Sequence, residues 1–119
     1  MNFSDQIFQA IDKAHKHGIT LTDGSWMGSG CLCPMGCVSW ASGKGDRLYD
    51  DFRRNAIVAS EVLGVHVDWV NHFISGFDAV DKKTIMFNPK YADAYVMGRR
   101  LRDQFIDEVI DNKEKRIGT

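Results

Sequence analysis

Apolar residues recur at helical spacing along this chain, and glycines interrupt the pattern. The clearest example follows Asp46, where steps of three and four residues separate the apolar positions Tyr49, Phe52, Ala56, Ala59 and Leu63. Such spacing places side chains on one face of an α-helix, and that face is then buried against a neighbour. Gly64 ends the pattern, since glycine adopts the positive φ that closes a helix at low cost. The sequence therefore predicts a helix that Asp46 caps and Gly64 terminates.

Two other helices are predicted on either side of that one. The first runs from Ser4, a good N-cap, to His17, and Gly18 stops it. Another follows Gly64 and stops at Gly76, with its buried face formed by Trp69, Val70, Phe73 and Ile74. Between the first and second of the three helices lies a segment rich in glycine and cysteine, for which we expect a loop or a short hairpin.

The last predicted helix begins at Asn88-Pro89, a cap followed by proline at the first helical position. Gly98 inside it weakens the helix by about 1 kcal/mol relative to alanine, so we expect a close backbone contact there. Residues 111–119 are highly polar, and we expect them to fray. The prediction is an all-α fold: a single domain over residues 1–119, with four to five helices and a helix–turn–helix-like pair.

Composition excludes several classes of protein. The chain has 119 residues with 15 basic and 16 acidic side chains, so its formal charge of −1 gives no general attraction for nucleic acid or anionic lipid. No apolar run approaches the roughly 20 residues of a membrane span, and the polar N-terminus lacks the features of a signal peptide. The cysteine count is odd, which argues against a disulfide framework. We therefore expect a cytoplasmic protein that does not bind membranes.

The cysteines lie close together, at Cys31, Cys33 and Cys37, and allow three interpretations. They are a zinc site completed by His66 or His72, although no second ligand pair supports it. They are a reactive thiol at Cys33 or Cys37 beside a helix start, where the thiol pKa falls. Or they are buried packing residues, with Cys33 capping a short helix that begins at Pro34. The packing interpretation is favoured, so no cofactor is expected and zinc remains an alternative.

Residues 59–73 match the spacing of a helix–turn–helix motif, with Gly64 at the turn. The outward positions of the second helix would be His66, Val67, Asp68, Asn71, His72 and Ser75. A helix that reads DNA normally presents Arg, Lys, Asn or Gln together with cations for the phosphates. This set contains neither Lys nor Arg, so DNA binding is the alternative and two packed helices the main interpretation.

Phosphate loops, zinc-protease helices and nucleophile elbows are absent from the sequence. What remains is a helical body with candidate contact residues, and these are Trp26, Trp69, Asn71, His72, Arg99 and Arg100. Exposed aromatic and arginine side chains often anchor protein interfaces. The prediction is a small accessory protein without catalytic activity, which associates with a protein partner or with itself.

Three segments together resemble those of short uncharacterised bacterial and bacteriophage proteins. They are Cys31-Leu32-Cys33-Pro34-Met35-Gly36, then Leu63-Gly64-Val65 together with the stretch from Trp69 to Asp78, and Gly98 to Arg102. The resemblance would extend over most of the chain. It implies a small cellular or phage accessory protein and no particular activity.

Overall fold

The computed structural model describes residues 3–23, 27–28, 31–44 and 52–117, and these form a compact helical body. The all-α class is confirmed, although the described residues contain six α-helices instead of four or five. The helices are α1 (Phe3–Lys16), α2 (Pro34–Ser39), α3 (Phe52–Leu63), α4 (Val67–Phe77), α5 (Ala92–Gln104) and α6 (Ile106–Ile117). A π-helical turn over Trp40–Lys44 follows α2, and 3-10 turns cover Lys82–Thr84 and Pro89–Tyr91. No helix within the described residues is long and apolar enough to cross a membrane.

Local signals set several helix ends as predicted. Gly64 has φ of 71° between α3 and α4, and its N–H donates to the carbonyl of Ser60 at 2.9 Å. A residue with a Cβ is strained at that φ, which is why glycine marks the turn. At the start of α2, Pro34 takes the first helical position and the Cys33 sulfur accepts the N–H of Gly36 at 3.3 Å. The predicted cap Asp46 lies outside the described residues.

A small sheet lies between α1 and α2. Its strands have two residues each: β1 (Thr20–Leu21), β2 (Met27–Gly28) and β3 (Cys31–Leu32). The strand order is β1-β3-β2, with β3 parallel to β1 and antiparallel to β2. The short hairpin expected in this segment is therefore present as β2 and β3, and β1 adds to it from the end of α1.

Side chains of α6 cover the free edge of β1. Glu108 Oε1 accepts the N–H of Leu21 at 3.2 Å, and Asn112 Nδ2 donates to the carbonyl of Leu21 at 2.5 Å. The neighbouring Thr22 N–H instead faces β3 and donates to the carbonyl of Leu32. Alternate residues of a strand direct their backbone groups to opposite sides, so α6 supplies the bonds that another strand would make.

This contact changes the expectation for the C-terminal segment. We expected residues 111–119 to fray, but α6 remains helical through Ile117, and Asn112 is buried. Asn112 Nδ2 also lies 2.9 Å from Thr20 Oγ1, so the residue has two partners in β1. The polarity of the segment predicted exposure to solvent. One of its polar residues, Asn112, is instead buried and hydrogen-bonded to β1, which is distant in the sequence.

Helices α4 and α5 approach each other at backbone distance. A Cβ added to Gly76 would lie 2.0 Å from the carbonyl oxygen of Tyr95, and one added to Gly98 would lie 2.1 Å from that of Phe73. The close contact predicted at Gly98 is confirmed. Gly76 was expected to stop α4, but it lies inside the helix, and the positive φ of 57° after the helix belongs to Ala79. The sequence signal at Gly76 therefore reports interhelical contact instead of a helix end.

The last predicted helix is divided in two. Phe105, with φ of −114°, separates α5 from α6, and its N–H is shared between the carbonyls of Leu101 and Arg102 at 3.2 Å each. Arg99 and Arg100 are exposed, whereas the side chain of Arg102 turns inward, where Nη1 donates to Asp23 Oδ2 and, at 2.8 Å, to the carbonyl of Phe77.

We predict that Gly98→Ala lowers the free energy of unfolding by about 1–3 kcal/mol, because the new methyl group forces α4 and α5 apart. At a helical position without a close neighbour, the change from glycine to alanine raises the free energy of unfolding by about 1 kcal/mol. The sign of the measured change therefore tests the close contact. Urea unfolding followed by circular dichroism measures the difference. Arg99→Ala, at the exposed neighbouring position, serves as the control and leaves stability nearly unchanged.

We predict that Asn112→Ala lowers the free energy of unfolding by about 1–3 kcal/mol, because the buried carbonyl of Leu21 loses its donor. Thermal or urea unfolding measures the loss. Glu114→Ala, at an exposed position of the same helix, is the matched control. Equal stability of the two variants would mean that the end of α6 does not hold β1.

Candidate functional site

The two cysteines with described side chains are built into the core. Cys33 is 2% exposed and Cys37 is fully buried, and both are free thiols. Every residue of α2 is buried, so the thiols have no route to solvent within the described part of the chain. The side chain of Cys31 lies outside that part. These positions agree with the packing interpretation for Cys33 and Cys37.

Burial also determines the chemistry of these thiols. Desolvation raises the pKa of Cys33 far above its usual value, and the nearby Cys37 and Asp78 raise it further. Burial, assisted by the charge of Glu108, raises the pKa of Cys37 from 9.0 to about 12. Both groups are therefore neutral thiols at physiological pH. A nucleophile needs the thiolate, so burial argues against that role for these two residues.

The two histidines proposed as zinc ligands are occupied by backbone contacts. His72 is 7% exposed, and its Nε2 accepts the N–H of Asn88 at 2.9 Å, so the proton is on Nδ1, which donates to the carbonyl of Asp68 at 2.7 Å. His66 Nδ1 caps α4 by accepting the N–H of Asp68 at 3.0 Å. Among the described side chains, no group of three His, Cys, Asp or Glu residues is arranged to hold a metal ion.

The position of His72 corrects the predicted outward face of α4. Its ring packs against Phe87 at 5.5 Å and Tyr91 at 5.2 Å between centroids, in the segment that leads into α5. Helical periodicity assigned this residue to solvent or DNA, but a long-range contact buries it. His66 and Asp68 do lie on the exposed surface.

The other candidate contact residues are distributed over the molecule. Trp69 is 6% exposed: its ring stacks on Phe73 at 5.8 Å and meets the tilted ring of Phe3 at 5.3 Å, so it joins α1 to α4 inside the body. Arg99 and Arg100 are exposed on α5. Trp26 lies outside the described residues. The structure therefore does not bring the predicted contact residues together into one surface.

A cavity does lie beside one of them, Asn71. It has a volume of about 520 Å³ and lies between α3, α4 and the turn that follows α4. Its lining is formed by Ala56, Ile57, Val67, Asn71, Ile74, Ser75, Asp78 and Val80. The volume and the mixture of apolar walls with a few polar groups are typical of ligand sites in proteins.

The polar side of this cavity belongs to one face of α4. Asn71, Ser75 and Asp78 follow one another at steps of four and three residues, so they share a helical face. The Asn71 Oδ1 atom is buried and has no hydrogen-bond partner among the described residues. A buried carbonyl without a donor costs about 1–3 kcal/mol, and such atoms often mark a site that another molecule completes.

Sequence reasoning identified Asn71 but not the cavity. The outward face of α4 was assigned from periodicity, and Ser75 was placed on it. Ile57 lines the α3 wall and Val67 lies one turn before Asn71 on the α4 wall, and nothing in the spacing of either residue indicates a gap in the packing. The recurrence of polar residues at positions 71 and 75 of α4 and at its C-cap, 78, was the available signal.

A second, smaller cavity of about 380 Å³ lies between α1, α3 and the π-helical turn. Its polar lining consists of Gln6, Gln9, Lys13 and Ser42. The Lys13 ammonium already donates to the carbonyl of Ala41 at 3.2 Å, and Ser42 donates to the carbonyl of Ser39 at 2.6 Å. Lys13 and Ser42 thus already have partners, whereas the Oδ1 of Asn71 has none among the described residues, so the cavity beside Asn71 is the better candidate.

Comparison with known proteins gives no relative: no family model, curated protein or solved structure matches the chain. The arguments about function therefore rest on the geometry alone.

We predict that Cys33 and Cys37 react slowly with a disulfide reagent such as DTNB. With the pKa of Cys37 at about 12 instead of 9.0, its thiolate is about a thousandfold rarer in the folded protein. The measurement uses the Cys31→Ser variant at pH 8 and compares folded with urea-unfolded protein. A thiol that reacts as fast in the folded state as in urea would show that α2 does not protect it.

Proposed function

We propose that the protein is a non-enzymatic helical binding protein, which takes an apolar side chain of a protein partner into the cavity between α3 and α4. The single observation behind the proposal is the cavity of about 520 Å³, one of whose lining residues is Asn71, with an Oδ1 atom that is buried and has no partner among the described residues. An inserted apolar side chain would fill this space.

The rim of the cavity supports a protein partner. Ile57 is 47% exposed at its edge, and Val67 on the facing helix is partly exposed. Apolar side chains around a pocket favour docking of another apolar surface, and interface energy often concentrates where one anchor residue enters such a pocket. Partner binding thus removes apolar surface from water at the rim and inside the cavity.

The same geometry makes DNA binding the weaker proposal. The turn at Gly64 joins α3 and α4 as in a helix–turn–helix, but α4 contains no Lys or Arg. Asn71, the residue suited to reading a base, lines the cavity, and Asp68 is exposed where phosphate would approach. A groove-reading helix would need cations at these positions.

We further propose a cytoplasmic accessory role. Two buried thiols that remain free suit a reducing compartment, where disulfides do not form. The partner is either another protein or a second copy of this chain.

We predict that N-acetyl-norleucine N-methylamide, a capped residue with an unbranched apolar side chain, binds this cavity. Titration followed by two-dimensional NMR should shift the backbone amides of Val67, Asn71, Ile74 and Ser75 together, with millimolar affinity. Ser75→Leu fills the cavity and should abolish these shifts, because the new side chain occupies the space.

Glu61→Leu adds the same side chain to the exposed face of α3 and is the matched control, which should bind as the parent does. Sedimentation of the unliganded protein separates the two kinds of partner. A dimer that Ser75→Leu dissociates identifies the partner as a second copy. If the probe shifts none of the lining residues, or shifts them equally in Ser75→Leu, the cavity is not the binding site.

A further inference from the structure

We infer that the partner is a second copy of this chain, and that the side chain it inserts into the cavity is that of Met86. The inference rests on the proposed function and specifies the occupant of its cavity. Met86 does not line the cavity itself, and the fold leaves its side chain almost entirely uncovered.

Met86 is the most exposed large apolar side chain in the described part of the chain. It is 97% exposed, whereas the other large apolar side chains on that surface are 36–47% exposed, so the fold covers more than half of each. A single exposed apolar residue is common on protein surfaces, and exposure alone identifies no site. The significance of Met86 depends on how its turn holds it and on the cavity elsewhere in the same chain.

A tight turn holds Met86 outward. The N–H of Phe87 donates to the carbonyl of Ile85 at 2.8 Å, which closes a three-residue turn with Met86 at its centre. The Phe87 ring packs against His72 and Tyr95, at 5.5 and 5.8 Å between centroids, and both of those residues are buried. The turn is thereby attached to the body of the protein. An anchor presented in this way loses little backbone freedom when it binds.

The shape of the methionine side chain suits the cavity. Methionine is unbranched and rotates about three bonds, so it adapts to irregular apolar spaces. The norleucine probe has the same shape, with a methylene group in place of the sulfur. Insertion would remove apolar surface of both copies from water, because most residues that line the cavity are apolar. These apolar residues are Ala56, Ile57, Val67, Ile74 and Val80.

The anchor and the cavity lie close enough together for a symmetric dimer. Val80 lines the cavity, and six positions separate it from Met86. The chain between them contains the 3-10 turn Lys82–Thr84, so their Cα atoms are closer than the roughly 20 Å of a fully extended stretch. A two-fold contact is reciprocal, so each copy inserts its own Met86 and receives that of the other. One interface then contains two anchors instead of one.

The charges beside the anchor and the cavity are opposite in sign. Residues 82–90 contain three exposed lysines and no acidic residue. Helix α4, which forms one wall of the cavity, contains neither Lys nor Arg, and its Asp68 is exposed. The Nδ1 atom of His66 accepts the N–H of Asp68, so it carries no proton and does not neutralise that carboxylate. Opposite charges of this kind orient two surfaces as they meet.

Sedimentation equilibrium of the full chain, from micromolar to millimolar concentration, measures the association. We expect a weak dimer with a dissociation constant of about 0.1–1 mM, because two inserted side chains must offset the entropy lost on association. Met86→Ala should raise this constant at least about tenfold. Ile110→Ala removes a 44% exposed apolar side chain from α6 and is the matched control, which should associate as the parent does. A parent that stays monomeric at millimolar concentration, or a dimer that Met86→Ala leaves unchanged, would overturn the assignment.

Two variants in combination test which groups meet. Met86→Ala keeps the cavity and lacks the anchor, whereas Ser75→Leu fills the cavity and keeps the anchor. Each variant alone should be monomeric, but in a mixture the anchor of one can enter the cavity of the other. Titration of isotope-labelled Met86→Ala with unlabelled Ser75→Leu should therefore shift the backbone amides of Val67, Asn71 and Ile74. Unlabelled Met86→Ala in place of Ser75→Leu is the control and should shift none of them.

The norleucine titration separates failure of this inference from failure of the proposed function. If the mixture gives no shifts while norleucine still binds the cavity, the second copy is not the partner and the proposed function stands. If norleucine also leaves the lining residues unshifted, both are wrong. Should Ser75→Leu fail to fold, unlabelled parent protein supplies Met86 in the same titration, with the same control and the same expected shifts.

Discussion

The backbone contact between α4 and α5 is the constraint on which the rest of the structure depends. Only glycine at positions 76 and 98 allows the helices to approach so closely. At this distance the Tyr95 hydroxyl reaches the carbonyl of Val80, and Arg102 reaches the carbonyl of Phe77. Both bonds hold the chain just before and after Asp78, at the C-terminal end of α4. The wall of the candidate cavity is therefore positioned from behind by α5.

Helix α5 also connects its contact with α4 to the small sheet. Arg102 joins the carbonyl of Phe77 to the buried carboxylate of Asp23, so one guanidinium links α4, α5 and the segment after β1. Buried ion pairs add little net stability but are costly to break, which makes them better at fixing an arrangement than at strengthening it. Together with the bonds from α6 to Leu21, this pair gives residues 20–23 a single position despite strands of only two residues.

The sequence predicted what short-range physics decides. The turn at Gly64, the cap at Cys33 and the close contact at Gly98 depend on the conformational range of one residue or on neighbours within a turn. The contacts that it missed join residues far apart in the chain: 79 positions separate Asp23 from Arg102, and 91 separate Leu21 from Asn112. Periodicity predicts which face of a helix is polar, but it does not predict which residues that face contacts. His72 and Asn71 were therefore both assigned to the surface, although one is buried by aromatic rings and the other lines a cavity.

The burial of Cys33 and Cys37 also follows from the way the helices pack. Helix α2 contacts α1, α3 and α4, and all six of its residues are buried. A helix surrounded in this way needs small, weakly polar side chains on every face, and cysteine meets that need as well as alanine or glycine does. Cys33 has the further property that its sulfur accepts the N–H of Gly36, which a methyl group cannot do. The positions of Cys33 and Cys37 thus reflect the crowding around α2, and the polar face of α4 is the better guide to function.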